Sequence, residues 1–191
     1  MANFWYNLGM IISYQGGECF KISQGDLAVV TNPTAKISAD ITLFSGGKND
    51  LPAGRQGLSD KSGFVMEGPG EYEIKDIFIK GFLVKDGERY KTTYLITFEG
   101  IKLCFLGDGE ISEEIEDVDI LFVPVGDDPA AAYKLAVKIE PAVMIPMNYN
   151  DKTLTQFVKE GGEKVEAIEK LVVKKKDLEG KEGEIIVLKQ E

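Results

Sequence analysis

At 191 residues with 43% apolar side chains, the chain is long enough for one domain with a substantial core, or for two packed layers within it. A net charge of −10 works against electrostatic binding to nucleic acid or an anionic membrane, because both need basic surface. There is no histidine at all, which excludes Ser-His-Asp and Cys-His nucleophiles outright.

The first residues, Met1–Ile12, lack a basic n-region and a cleavage site, and no apolar run is long enough to span a membrane. The chain therefore reads as cytoplasmic. Residues 1–10 read as an N-terminal extension and 11–191 as a single domain. Short β-branched and aromatic runs at Ile11–Tyr14, Cys19–Ser23 and Leu27–Thr31, separated by Gly-Gly and Gly-Asp, predict a strand meander. Ile41–Phe44 is a continuous apolar run of the buried type, followed by a turn-prone stretch from Ser45 to Asp50. Residues 51–63 have the Pro, Gly and Ser content of an exposed loop insertion. Strands are expected at Phe64–Met66, Glu71–Ile74 and Ile77–Phe82. Lys85–Glu88 reads as a hairpin turn, and Thr92–Phe98 with Ile101–Leu106 as a hairpin across Glu99-Gly100.

Beyond Leu106 the period changes. Ser112 followed by Glu113 and Glu114 resembles the start of a short helix. Ile120–Val125 and Ala142–Met147 are expected as buried strands. Pro129–Ile139 has helical spacing, with Ala131, Leu135, Ala136 and Ile139 on one side. Thr153–Glu160 reads as a helix stopped by Gly161-Gly162. Leu171–Lys174 and Glu184–Leu188 are late strands joined by the charged turn Leu178–Gly183. Cys19 and Cys104 both lie in apolar runs and belong to no CxxC pair, so buried free thiols are expected; spacing alone also allows a disulfide.

Five motifs, in order along the chain, carry a family resemblance. They are Tyr14-Gln15-Gly16-Gly17-Glu18-Cys19-Phe20, Ala39–Leu51, Gly68-Pro69-Gly70-Glu71-Tyr72-Glu73-Ile74, Leu106-Gly107-Asp108-Gly109, and Ile145-Pro146-Met147-Asn148-Tyr149. With the strand Asp119–Gly126 between the last two, they resemble the metallo-β-lactamase fold superfamily, and its small hydrolase-like, ascorbate-phosphate lactonase-like branch most. The resemblance runs from about Ile11 to Leu188. It implies an α/β (α+β) fold, a four-layer αβ/βα sandwich of two mixed β-sheets flanked by helices. It also implies a two-zinc hydrolase site built on histidines and carboxylates.

This chain departs from that pattern at the site. The family's histidines fall on Gly17, Gly46, Lys48, Leu51 and Asn148, while Asp50 and Asp108 keep carboxylates. Zinc takes nitrogen, sulfur or oxygen ligands in tight tetrahedral geometry, and two carboxylates do not complete it. The expectation is a degenerate pocket at Gly17, Gly46, Lys48, Asp50, Leu51, Asp108 and Asn148, with no catalytic residue, metal or cofactor. Lys48 is either a counter-charge in place of the metal or a solvated loop lysine. Asp50 and Asp108 either bind or hold turns, and Asn148 binds or plays a structural part. A Ser45–Lys48 pair has no supporting motif.

The leading reading is a binding or assembly protein with an unidentified small-molecule or protein ligand and room for a homo-oligomer. The alternative is a hydrolase with a rebuilt site, in which Glu18, Asp50, Asp86, Asp108 and Glu110 hold a hard cation such as Mg²⁺, Mn²⁺ or Ca²⁺. A purely structural subunit, anchored by an apolar patch around Phe4-Trp5-Tyr6, is the third.

Overall fold

The structure, a computed structural model, describes residues 9–46, 63–107, 115–162 and 164–191. Residues 1–8 of the extension expected at 1–10, most of the 51–63 insertion, and the helix start at Ser112 lie outside the described residues, while Met10 is buried in the first strand of the domain.

Two sheets face each other. In the first, β1 (Met10–Gly16), β2 (Cys19–Gln24) and β3 (Leu27–Thr31) form the antiparallel meander read from the sequence. Gly25, at φ 59°, supplies the left-handed turn between β2 and β3 that a residue with a Cβ resists. β4 (Ile41–Leu43) and β5 (Phe64–Met66) then add in parallel beyond β3, and β12 (Leu171–Val173) closes the other edge against β1.

The second sheet starts as an antiparallel meander of β6 (Gly70–Ile74), β7 (Ile77–Asp86), β8 (Arg89–Phe98) and β9 (Ile101–Phe105). It continues in parallel through β10 (Ile120–Pro124), β11 (Val143–Met147) and β13 (Glu184–Ile185). Both sheets are thus mixed. β12 and β13 read in the sequence as neighbours across one charged turn. They belong to different sheets, and the segment between them, including the 3-10 turn Lys175–Leu178, crosses from one to the other.

The main core fills the space between the sheets. Phe105 and Phe122 occupy paired positions on adjacent parallel strands and stack at 3.9 Å between centroids. Phe20, from the opposing sheet, meets Phe122 edge-on at 4.7 Å and stacks on Tyr14 at 4.8 Å. Such pairs add roughly 0.5–1.5 kcal/mol beyond their area burial.

A second core lies on the outer face of the second sheet, under α1 (Pro129–Ile139) and α2 (Asp151–Glu160). β10 and β11 therefore bury both faces, which explains their unbroken apolar runs. Among the described residues both α-helices pack on this sheet. Cys104 is buried in the second core and Cys19 on β2, and both are free thiols.

The buried side of α1 differs from the one read in the sequence. Leu135 is 39% exposed and Ala131 is exposed, while Pro129, Ala132, Tyr133, Ala136 and Ile139 face the core. The helix carries apolar residues all round, so periodicity alone could not choose a face. The choice is made by Tyr133, which seats edge-on against Phe157 of α2 at 5.7 Å. Asp128 fixes the start of α1 by accepting from the Ala131 N–H, with Pro129 next in line.

Candidate functional site

The parallel strands of each sheet bring their carboxyl ends to one rim of the sandwich, where α/β folds commonly place ligands. The rim is held by backbone hydrogen bonds between loops far apart in sequence. Asn148, just after β11, donates its N–H to the Gly17 carbonyl at 2.8 Å, and the Gly126 N–H donates to the Asn148 carbonyl at 3.2 Å. Gly17 and Asn148 both sit in the left-handed region, at φ 61° and 53°. Glycine and asparagine tolerate that region best.

The two sheets are tied together at the same rim. β8 runs past the end of β9, and the chain leaving β4 takes the uncovered edge. The Thr92 N–H donates to the Ser45 carbonyl at 2.8 Å, and Gly46 bridges Lys91. Nearby, the Gly107 N–H donates to Thr93 Oγ1 at 2.8 Å, so the residue preceding Asp108 is anchored on β8.

Between these loops lies an open cleft of about 380 Å³. Its floor is a polar network. Asn32 Nδ2 donates to Ser45 Oγ at 2.9 Å and to Glu18 Oε2 at 3.2 Å. The Ser45 N–H donates to Asn32 Oδ1 at 2.9 Å, and Ser45 Oγ donates to Glu18 Oε2 at 3.3 Å. Asn32 is itself left-handed, at φ 40°, and precedes Pro33. Arg89 and Lys91, on alternate positions of β8, and Asn148 line the remaining wall.

Burial shapes the acid–base groups near the rim. Desolvation pushes the Tyr14 hydroxyl up to about 12, assisted by Tyr149, while Tyr14 donates to the Gly17 carbonyl at 3.2 Å. Desolvation likewise pushes the Cys19 thiol up to about 11 and Cys104 higher still. Neither thiol lines the cleft. Both are protonated at neutral pH, so neither is a ready nucleophile or metal ligand.

Of the residues singled out in the sequence, Gly46 and Asn148 line this cleft, and Gly17 bonds directly to Asn148 at its edge. Lys48, Asp50, Leu51, Asp108 and Glu110 lie outside the described residues, as does the side chain of Asp86. Among the described residues no cluster of His, Cys, Asp and Glu is placed to hold a metal. Glycine offers no side-chain ligand, and Asn148 offers only an amide. The donor set among the described residues therefore does not fit a histidine-built zinc centre.

Sequence reasoning missed Arg89, Lys91 and Asn32. Arg89 and Lys91 share one face of a strand, and their alternation was the available signal. Asn32 gave none, because its partners are distant in sequence. Ser45 turns to Glu18 and Asn32 through its hydroxyl.

An αβ sandwich of two mixed sheets, with its loops gathered at the carboxyl-end rim, is the architecture of the metallo-β-lactamase fold. Residues 11–148 match the family described as the Beta-lactamase superfamily domain, and the chain belongs to that superfamily. Among solved structures it is similar to a candidate zinc-dependent hydrolase of the metallo-β-lactamase superfamily from Thermotoga maritima. That match has 27% identity and a TM-score of 0.78, and covers 95% of this chain and 100% of the other. A candidate metal-dependent hydrolase from Parabacteroides distasonis matches at 16% identity and TM-score 0.70, over 95% and 94% of the two chains. A metallo hydrolase from the archaeon Ignicoccus hospitalis matches at 14% and 0.62, over 86% and 99%, and these last two likenesses show the fold alone. No curated protein matches the sequence. Among the described residues no helix is long and apolar enough to cross a membrane.

Proposed function

We propose that this protein is a zinc-independent member of its superfamily that binds a ligand at the rim cleft rather than hydrolysing one with a dinuclear zinc centre. One observation carries the reading. The positions that resemblance assigns to histidine are glycine at 17 and 46 and asparagine at 148, on a rim whose backbone is intact, in a chain of 191 residues without histidine. Function resides in the site and not in the fold. Here the frame of the site persists while the imidazoles that would hold zinc are replaced.

The likeness to the Thermotoga maritima protein, a candidate zinc-dependent hydrolase, favours a second reading, a metal-dependent hydrolase, and in a chain without histidine its metal would be a hard cation on carboxylates. Of its five candidate ligands, Glu18 lines the cleft, and its carboxylate already accepts from Asn32 and Ser45. Elemental mass spectrometry after dialysis against Zn²⁺, Mn²⁺ and Mg²⁺ tests the choice. The binding reading expects metal far below one equivalent. A stoichiometric ion that is lost in Asp108→Ala would overturn it and establish the carboxylate site.

A further inference from the structure

The charges of the described cleft residues differ from those of the whole chain. The protein carries a net charge of −10, yet the described lining holds Arg89 and Lys91, the latter with a partner of its own, against one carboxylate, Glu18. That carboxylate is held in the floor by Asn32 and Ser45. Arg89 is exposed, and no carboxylate among the described residues pairs with its guanidinium. The left-handed backbone of Asn148 spends its N–H and carbonyl on Gly17 and Gly126. Its exposed side-chain amide stays at the cleft without a described partner. A guanidinium is a planar fork that matches carboxylate and phosphate oxygens two at a time. Cations gathered in a cleft of an otherwise acidic surface also focus the field on small anions.

We propose that the cleft takes the oxyanion head, phosphate or carboxylate, of a small molecule. Arg89 is its principal contact, and Lys91 and the Asn148 amide complete the seat. This rests on the zinc-independent binding reading and names the class of ligand. About 380 Å³ accommodates a small organic anion. One carboxylate, already accepting from Asn32 and Ser45 in a lining that also holds two cations, gives a metal ion little reason to enter the described part of the cleft.

Calorimetric titration of the full-length, metal-free protein tests the proposal, with pyrophosphate, inorganic phosphate, citrate and acetate as probes at constant ionic strength. At least one probe should bind. Tighter binding of the phosphates assigns a phosphate-bearing ligand, and tighter binding of the carboxylates assigns an organic acid. Arg89→Ala should weaken binding by about tenfold or more, the loss expected for a charge-assisted contact. Asn148→Gly, which keeps the left-handed backbone, should weaken it by a smaller factor. Lys134→Ala, on the exposed side of α1, should change nothing. No binding by any probe, or unchanged binding in Arg89→Ala, overturns the proposal. The metal measurement is independent. If the protein holds stoichiometric metal and Arg89→Ala still weakens binding, the oxyanion seat stands and the zinc-independent reading falls. If binding appears only on adding metal and ignores Arg89, both fall.

Discussion

Asn32 holds the floor of the cleft, so its removal should register in stability as well as in binding. Its side chain makes three hydrogen bonds, two with Ser45 and one with Glu18. Each neutral bond is worth about 1 kcal/mol net, and the bond to the carboxylate about twice that where it is buried. The residue is half-buried, which discounts the sum to roughly 2–3 kcal/mol. At φ 40° an alanine adds about 1 kcal/mol of backbone strain, and Pro33 narrows the escape routes. Asn32→Ala should therefore lose roughly 3 kcal/mol, or about 6–12 °C in Tm for a domain of this size. Urea unfolding at neutral pH is the assay. A loss within about 0.5 kcal/mol of zero would refute the network as a structural element. Asn32→Asp sharpens the test. It keeps the left-handed tolerance and the acceptor for Ser45, but it sets a second carboxylate against Glu18. Repulsion raises the folded-state pKa of the new carboxylate above its unfolded value of about 4. Its destabilisation should be small below that pH and should grow as pH rises through the raised folded value. A loss independent of pH would show that the two carboxylates do not face each other.

Two further predictions concern the rest of the molecule. Lys75 reaches Asp40 at 2.5 Å, and this hydrogen bond, with a second from the Ala28 N–H, holds the Asp40 carboxyl below its ordinary value of 3.8. A lowered folded pKa contributes stability that is present above the unfolded value and lost as pH falls through the folded one. Lys75→Met should cost less than about 1 kcal/mol at pH 7, because the lysine is half-exposed, and less still at pH 2. An equal cost at both, read by thermal unfolding, would assign the effect to something other than the ion pair. Cys19 and Cys104 should both resist Ellman's reagent in the native protein at pH 8 and both react in denaturant. Rapid labelling of one thiol in the native state would show that its burial is broken by local opening.

The sequence was most readable where one face or both faces of an element are buried. Leu27–Thr31 and Pro129–Ile139 have the bounds that their apolar patterns and turn residues suggested. Pattern fails where an element leaves the core. β7 and β8 run on to Asp86 and back from Arg89, past the end of β9, and the tip residues are polar because no second layer covers them. In the sequence Lys85–Glu88 reads as a hairpin turn and the next strand starts at Thr92, so Arg89 and Lys91 fall between the two. The Glu18–Asn32–Ser45 network was hidden for a different reason. Ser45 lies 13 residues from Asn32 and 27 from Glu18, and only the parallel packing of β4 beside β3 closes that distance. Landmarks such as Gly68-Pro69-Gly70 and Ile145-Pro146-Met147 were legible because they are local. Their anchoring is not local: the Gly68 N–H donates to Tyr94 Oη at 3.2 Å, and Tyr94 in turn donates to the Phe44 carbonyl at 3.0 Å.

The same geometry explains how a rim can survive a change of chemistry. Its joints are main-chain bonds: Asn148 to Gly17, Gly126 to Asn148, Thr92 to Ser45. None needs an imidazole. What positions 17 and 148 do require is tolerance of left-handed φ, which glycine and asparagine supply. Replacing a ligand at such a position removes a metal contact without removing the joint, so the fold carries little penalty. The cations that face the cleft stand instead on β8, a strand fixed along its length by β7 and at its free edge by Ser45 and Gly46. A binding group is placed more firmly on a strand than on a loop. On the proposed reading the described rim keeps Arg89 and Lys91 for a ligand whatever stands at the positions that resemblance assigns to zinc. On that argument Arg89, rather than Gly17, Gly46 or Asn148, is the residue whose loss should weaken binding in the cleft most.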